Sequence, residues 1–203
     1  SAVRRPTAVG NGGADTPRRE SFAGSSSCSG RRSTVTNTPD TVFQVFTESS
    51  DQTDSLGEVL GAWLRPGDVV LLHGDLGAGK TTLTKGLARA LGVRDTVSSP
   101  SFALVNEYAL PLLPLFHLDL YRLDDPADLE SIGFTELTST EDGIAIVEWP
   151  ERAGAMLPER YVLVEMALTG EGRRSLRVSG APATSWQERL PSLQQAMTAF
   201  LAA

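Results

Sequence analysis

The stretch VVLLHGDLGAGKTTLTKGLARALG, residues 69–92, decides the fold. Val69 to Leu72 form an unbroken apolar run, as in a strand covered on both faces. Gly74, Gly79, Lys80 and Thr81 then satisfy G-x-x-x-x-G-K-[ST]. Lys80 to Leu91 read as a helix ended by Gly92. The glycines let the loop turn tightly and direct backbone N–H groups inward, and the helix N-terminus adds favourable potential for an anion. Lys80 can reach the β- and γ-phosphates, and the Thr81 hydroxyl can ligate Mg²⁺. Asp75, Leu76, Gly77, Ala78, Gly79, Lys80, Thr81 and Thr82 are therefore the expected nucleotide-binding stretch, with Thr82 a supporting hydroxyl. Lys80 and Lys85 are the only lysines in the chain, which makes the placement of Lys80 hard to ascribe to chance. Lys85 reads as a solvated helix residue.

Working outward, TVFQVFTES alternates enough for a strand, and DQTDSLGEVLGAWL carries a helical stripe of Leu56, Val59, Leu60 and Leu64. RPGD is a turn. FALVNEYAL and LLPLFHLDLY read as strands, with Pro114 marking an irregular or edge approach. DPADLESIG predicts a short helix capped by Asp125 with Pro126 in its first turn. GIAIVEW is a further buried strand. RYVLVEMALTGEGRRSLRVSG predicts two strands joined around GEG, and the last twenty or so residues are helical, interrupted or restarted at Pro191. The expected fold is α/β: a P-loop nucleotide-binding fold with a mixed central sheet flanked by helices and a C-terminal antiparallel hairpin. The expected organisation is a disordered basic extension over 1–40, an ATPase-type domain over 41–180, and a helical extension over 181–203, packed on the domain or trailing from it.

The chain has 203 residues, 40% of them hydrophobic, enough for one sizeable core and tight for two domains. No apolar run approaches the length of a membrane span. The net charge of −7 argues against broad nucleic-acid wrapping. Residues 1–40 carry six arginines against three acids and are rich in Ser, Gly and Pro, which predicts disorder. That stretch lacks the apolar face of a transit peptide and contains Asp15 and Glu20. Cys28 is the only cysteine, so no intrachain disulfide or cysteine metal cluster can form, and a reducing, cytoplasmic setting is expected.

A nucleotide hydrolase also needs an acid beyond the loop to hold Mg²⁺ or orient water. Asp119 follows LLPLFHL and Glu148 follows GIAIV, each at a predicted strand end; either could be the inner-sphere group. His117 falls on the same strand face as Asp119 and could orient water or the γ-phosphate, or serve as a packed histidine. His73 reads as support for the loop. Trp149 could stack on a base, cap the site, or be a partly buried core aromatic.

With these residues assembled, the chain resembles the TsaE (YjeE) family, small bacterial P-loop ATPases of tRNA threonylcarbamoyladenosine formation. The resemblance rests on an ordered set: GDLGAGKTTLTKGLARALG, VSSPSFALVNEY, LFHLDLYRL, LESIGFTEL and IAIVEWPERA. It implies ATP and Mg²⁺ as cofactors and TsaD-like and TsaB-like partner proteins, with tRNA engaged mainly through that complex and no membrane. It implies a switch-like segment over Ser99 to Phe102, with Ser101 where the family usually has threonine. It further implies that Asp119 is essential for hydrolysis and that Glu148 and Trp149 form the motif near nucleotide and metal. Tyr121, Arg122 and Glu136 fall on family motifs as switch or partner-facing residues.

Three other readings share the phosphate cradle. A small-metabolite kinase would need a basic lid, for which Arg173, Arg174 and Arg177 are the candidates, although that segment reads better as a hairpin. A GTPase would need an N-K-x-D-type motif, which the sequence lacks. An ATP-dependent assembly module would bind without needing turnover.

Overall fold

The computed structural model describes residues 42–110, 113–123 and 125–201. The disordered extension expected over 1–40, with Cys28, lies outside them. Strands β1 (Val42–Thr47), β2 (Val69–His73), β3 (Val105–Ala109), β4 (Pro114–Asp119), β5 (Ile144–Glu148), β6 (Tyr161–Leu168) and β7 (Arg174–Ala181) form one sheet in the order β1-β7-β6-β2-β5-β4-β3. β6, β2, β5 and β4 run parallel, while β7 and β3 are antiparallel to their inner neighbours. The mixed sheet and the β6–β7 hairpin agree with the sequence reading.

The central parallel strands β2 and β5 are apolar up to their last residues because both their faces are covered. Val70, Leu72, Ile144, Ile146, Val162 and Val164 face one core with helices α1 (Ser50–Trp63) and α2 (Lys80–Leu91). Val69, Leu71, Ala145 and Val147 face a second core with Leu129 and Phe134 from the short helices α3 (Pro126–Ser131) and α4 (Phe134–Thr138). α1 and α2 pack so closely that a Cβ on Gly86 would lie 1.8 Å from the Asp54 carbonyl oxygen. Ser49 caps α1 by accepting from the Gln52 N–H, and Asp125 caps α3 through the Ala127 N–H.

The C-terminal segment contributes α5 (Ala183–Trp186) and α6 (Leu190–Ala196), the latter starting with Pro191 in its first turn. Trp186, Leu190, Leu193 and Met197 are buried in the first core, so these residues are built into the domain rather than trailing from it. At the amino ends of the parallel strands, Asp68 is buried and accepts from Arg160, from both terminal nitrogens of Arg189, and from the Arg65 backbone N–H. The Arg189 guanidinium lies 4.3 Å and 5.1 Å from the ring centres of Trp63 and Trp186.

Two strand boundaries differ from the sequence reading: the strand expected to run through Tyr121 ends at Asp119, and β3 starts late. The strand expected from Phe102 begins at Val105, because Ser101–Leu104 form a turn in which Leu104 has φ 66°. Ser99, just before that turn, and Ser101, at its start, donate to Asp119. No helix among the described residues is long and apolar enough to cross a membrane.

Candidate nucleotide site

The site lies at the carboxyl ends of the parallel strands, where β2 runs into the loop 74–79 and α2 begins at Lys80. The Lys80 ammonium donates to the carbonyl oxygens of Gly74 (2.6 Å) and Asp75 (3.0 Å). It also sits 3.8 Å from the ring centre of Trp149. Burial holds its pKa below the ordinary 10.5, although Glu148, Glu151, Asp119 and Asp75 nearby pull it back upward. Its hydrogen-bond partners are neutral carbonyls rather than either carboxylate, which leaves its charge available to an anion.

β4 and β5 are adjacent and in register, so Asp119 and Glu148, the last residues of the two strands, lie side by side. Glu148 accepts from the Thr81 hydroxyl at 3.2 Å through Oε2, while Oε1 lies 2.9 Å from His117 Nε2. Asp119 Oδ2 accepts from the hydroxyls of Ser99 and Ser101, and Oδ1 accepts from the Tyr121 N–H at 3.0 Å. Each acid is thus oriented by neutral donors or a histidine ring. Trp149 follows with φ 61°, a left-handed turn that is costly for a bulky residue. The turn lays its indole over Lys80 and 4.9 Å from the Tyr121 ring. Trp149 therefore caps the lysine end of the loop.

A cavity of about 280 Å³ is lined by Leu76, Gly77, Gly79, Lys80, Thr81, Thr82, Ser99, Ser101, Asp119, Tyr121, Glu148, Trp149 and Arg174. Most residues picked out in the sequence therefore converge. Asp75 contributes its carbonyl to Lys80, and Ala78 is buried beneath the loop. His117 is not part of the cavity lining: it is wholly buried, with Nε2 against Glu148 Oε1. Phe102 and Arg122 stack on each other at 4.3 Å outside the lining, with Phe102 86% exposed. Glu136 is exposed on α4 and is not part of the cavity wall. His73 stands 3.8 Å from Glu151 at the far side of the loop.

Among the described residues, no group of three or more His, Cys, Asp and Glu side chains could hold a metal ion unaided. The Thr81 hydroxyl and the carboxylates of Glu148 and Asp119 stand together beside a phosphate loop. That set fits Mg²⁺, which binds through one or two carboxylates plus phosphate oxygens and keeps several waters.

Arg174 is the wall residue the sequence reading placed elsewhere, among the arginines of a possible lid. Its neighbours Arg173 and Arg177 pair with Glu48 and Glu165 on the surface. Arg174 itself turns inward, at the first position of β7. The only signal for this in the sequence is its place at the start of a strand just after a glycine-containing turn.

Comparison with known proteins agrees with this geometry. Residues 47–176 match the family model described as threonylcarbamoyl adenosine biosynthesis protein TsaE. A relative from Nostoc is 39% identical over 145 residues, covering 70% of this chain and 88% of its own. One from Bacillus subtilis is 37% identical over 130 residues, covering 64% and 80%. One from Treponema pallidum is 38% identical over 137 residues, covering 68% and all of its own length. All three are named tRNA threonylcarbamoyladenosine biosynthesis protein TsaE. The crystal structure of Bacillus subtilis YdiB superposes with a TM-score of 0.65 at 30% identity, covering 76% of this chain and 95% of YdiB. With its phosphate loop, its paired strand-end acids and a family match over most of the described domain, the chain belongs to the TsaE family.

Proposed function

We propose that this protein is a Mg²⁺-dependent ATPase that supports tRNA threonylcarbamoyladenosine formation by acting on a TsaB–TsaD-type pair in the cytoplasm. The observation that carries the reading is the convergence of Thr81, Glu148 and Asp119 in one cavity with Lys80. Lys80 exchanges its loop carbonyls for phosphate oxygens, and the loop N–H groups hold the remaining phosphate charge. Mg²⁺ entering with ATP would be held by the Thr81 hydroxyl and the Glu148 side, where it would supply positive charge against the phosphates. Asp119, tied to Ser99 and Ser101, orients the attacking water. His117 keeps Glu148 in place. The TsaE relatives carry the biosynthetic role in their names, and that role comes to this chain by membership of the family.

Partner proteins are proposed to dock at the rim. Leu76 and Phe102 are 75% and 86% exposed there, and Tyr121 is 40% exposed. Phe102 follows Ser101 directly, so a change in the serine contacts to Asp119 would be felt at this surface. A weak ATPase alone and a faster one with partners is the expected behaviour. The kinase reading finds no free lid, since Arg173 and Arg177 are paired with acids and Arg174 points inward.

The test is modification of unmodified tRNA by the partner pair, with the chain, without it, and with its Lys80→Ala variant. Modification that depends on the intact chain is expected, with ATP consumed and no phosphorylated small molecule formed. Equal modification in all three reactions would sink the proposal. Full modification with Asp119→Asn and no hydrolysis would favour an assembly module instead.

A further inference from the structure

Arg174 stands at the junction of three segments. Its Nε donates to the Ala78 carbonyl of the phosphate loop at 3.0 Å, and Nη1 donates to the Gly172 carbonyl of the hairpin turn at 2.8 Å. Nη2 donates to the Ser50 hydroxyl at the start of α1 at 3.4 Å. The residue is 8% exposed, and among the described residues its hydrogen-bond partners are two carbonyls and a hydroxyl, with no carboxylate. A nearly buried guanidinium without a carboxylate partner is costly to keep unless an anion completes it. The same side chain forms part of the cavity wall beside Lys80 and Thr81.

The contact to Ala78 has a directional consequence. A trans peptide is planar, with its C=O and N–H pointing opposite ways. Holding the Ala78 carbonyl therefore fixes the direction of the Gly79 N–H, one of the loop donors a phosphate meets. The fit is tight: a Cβ on Gly79 would lie 2.7 Å from Arg174 Nε, and Gly79 has φ 104°. The last glycine of the loop is required both by its backbone conformation and by the guanidinium beside it.

We propose that Arg174 is a positioning residue of the nucleotide site, which aligns the Gly79 amide by gripping Ala78 and adds a second buried positive charge to that of Lys80. This role rests on the nucleotide reading above. Arg174 serves a phosphate chain that reaches the β-position, and it acts on the ground-state grip. Lysine cannot replace it, because one ammonium cannot span the loop, the turn and α1 with the geometry of a planar fork.

The test is calorimetric titration of the full chain with Mg·ATP, Mg·ADP and AMP, for the parent protein, Arg174→Met, Arg174→Lys and Ser50→Ala. Arg174→Met should weaken ATP and ADP by roughly tenfold, as expected for loss of a charge-assisted contact. Arg174→Lys should lose several-fold, AMP should change far less, and Ser50→Ala should stay within about twofold of the parent, since it removes only the longest of the three guanidinium contacts, at 3.4 Å, and leaves the grip on Ala78 and Gly172 in place. Thermal melts without nucleotide show which variants are folded at the titration temperature. Parent-like ATP affinity in a folded Arg174→Met, or an equal loss for AMP, overturns the proposal. Loss of folding in both Arg174 variants assigns the residue to the fold alone and also overturns it. Failure of the parent protein to bind any nucleotide would sink the reading of the site, and this role with it.

Discussion

The two ends of the parallel strands handle buried charge in opposite ways. At the amino ends, Asp68 is saturated: Arg160, Arg189 and the Arg65 N–H fill both of its oxygens, and Trp63 and Trp186 flank Arg189. At the carboxyl ends, Lys80, Glu148 and Asp119 are also buried, but cation and anions contact carbonyls, hydroxyls, an amide and an imidazole instead of each other. Saturation gives a staple that fixes the C-terminal helices to the sheet. Incomplete pairing gives a place where a charged ligand can be met. The difference lies in which partners each charge is given, not in how deeply it is buried.

The contrast is broken most directly by one substitution at each end. Lys80→Ala should cut ATP turnover by about 10³-fold or more, while the unfolding midpoint stays level or rises, because a buried ammonium held by carbonyls and a ring face, without a carboxylate contact, is removed. ADP release and thermal melting read the two quantities separately. Asp68→Ala should do the reverse, costing about 3 kcal/mol of stability by leaving the largely buried Arg189 guanidinium without its carboxylate, with ATP affinity near that of the parent where the variant is folded. Denaturant titration beside nucleotide binding measures this. A large loss of stability in Lys80→Ala, or of affinity in folded Asp68→Ala, would erase the distinction.

Within the carboxyl end the two acids should separate. Asp119→Asn is expected to lower turnover by about 10²-fold with ATP still bound, whereas Glu148→Gln should chiefly raise the Mg²⁺ concentration required for half-maximal rate. Turnover followed across a Mg²⁺ series checks both, and identical responses would show that the acids share one role.

The smallest effect is a pH dependence. Lys80 is held below 10.5 by burial. Below its folded pKa it is charged in both folded and unfolded chains, so its burial costs stability there. Between that value and 10.5 only the unfolded chain keeps the proton, so stability without nucleotide rises with pH. Nucleotide affinity should fall through the same window, since phosphate needs the ammonium. Lys80→Met should abolish both slopes, and the difference between parent and variant isolates them from other titrating groups.

What the sequence made legible were the local signals. The apolar run at Val69–Leu72, the glycine loop, and acids closing apolar strands all act over a few residues. Parallel pairing then brings Asp119 and Glu148 together, because the two strands end in register. What stayed hidden depends on contacts distant in sequence. Arg189 reaches Asp68 across 121 positions, and Arg174 reaches Ala78 across 96. No window of local periodicity contains such pairs. His117 was legible as a site residue but not in its orientation, which the neighbouring Glu148 decides. The early start expected for β3 failed because the turn before Val105 follows from the packing of Ser99 and Ser101 on Asp119.

The left-handed backbone at Trp149 gives the protein a built-in optical reporter. Of its three tryptophans, Trp63 and Trp186 lie together at the Asp68 end, and only Trp149 stands over the phosphate lysine. Indole emission responds to a nearby ammonium and to solvent. Movement of Lys80 from its carbonyls to a ligand would therefore be recorded by a single chromophore, in real time and without a label.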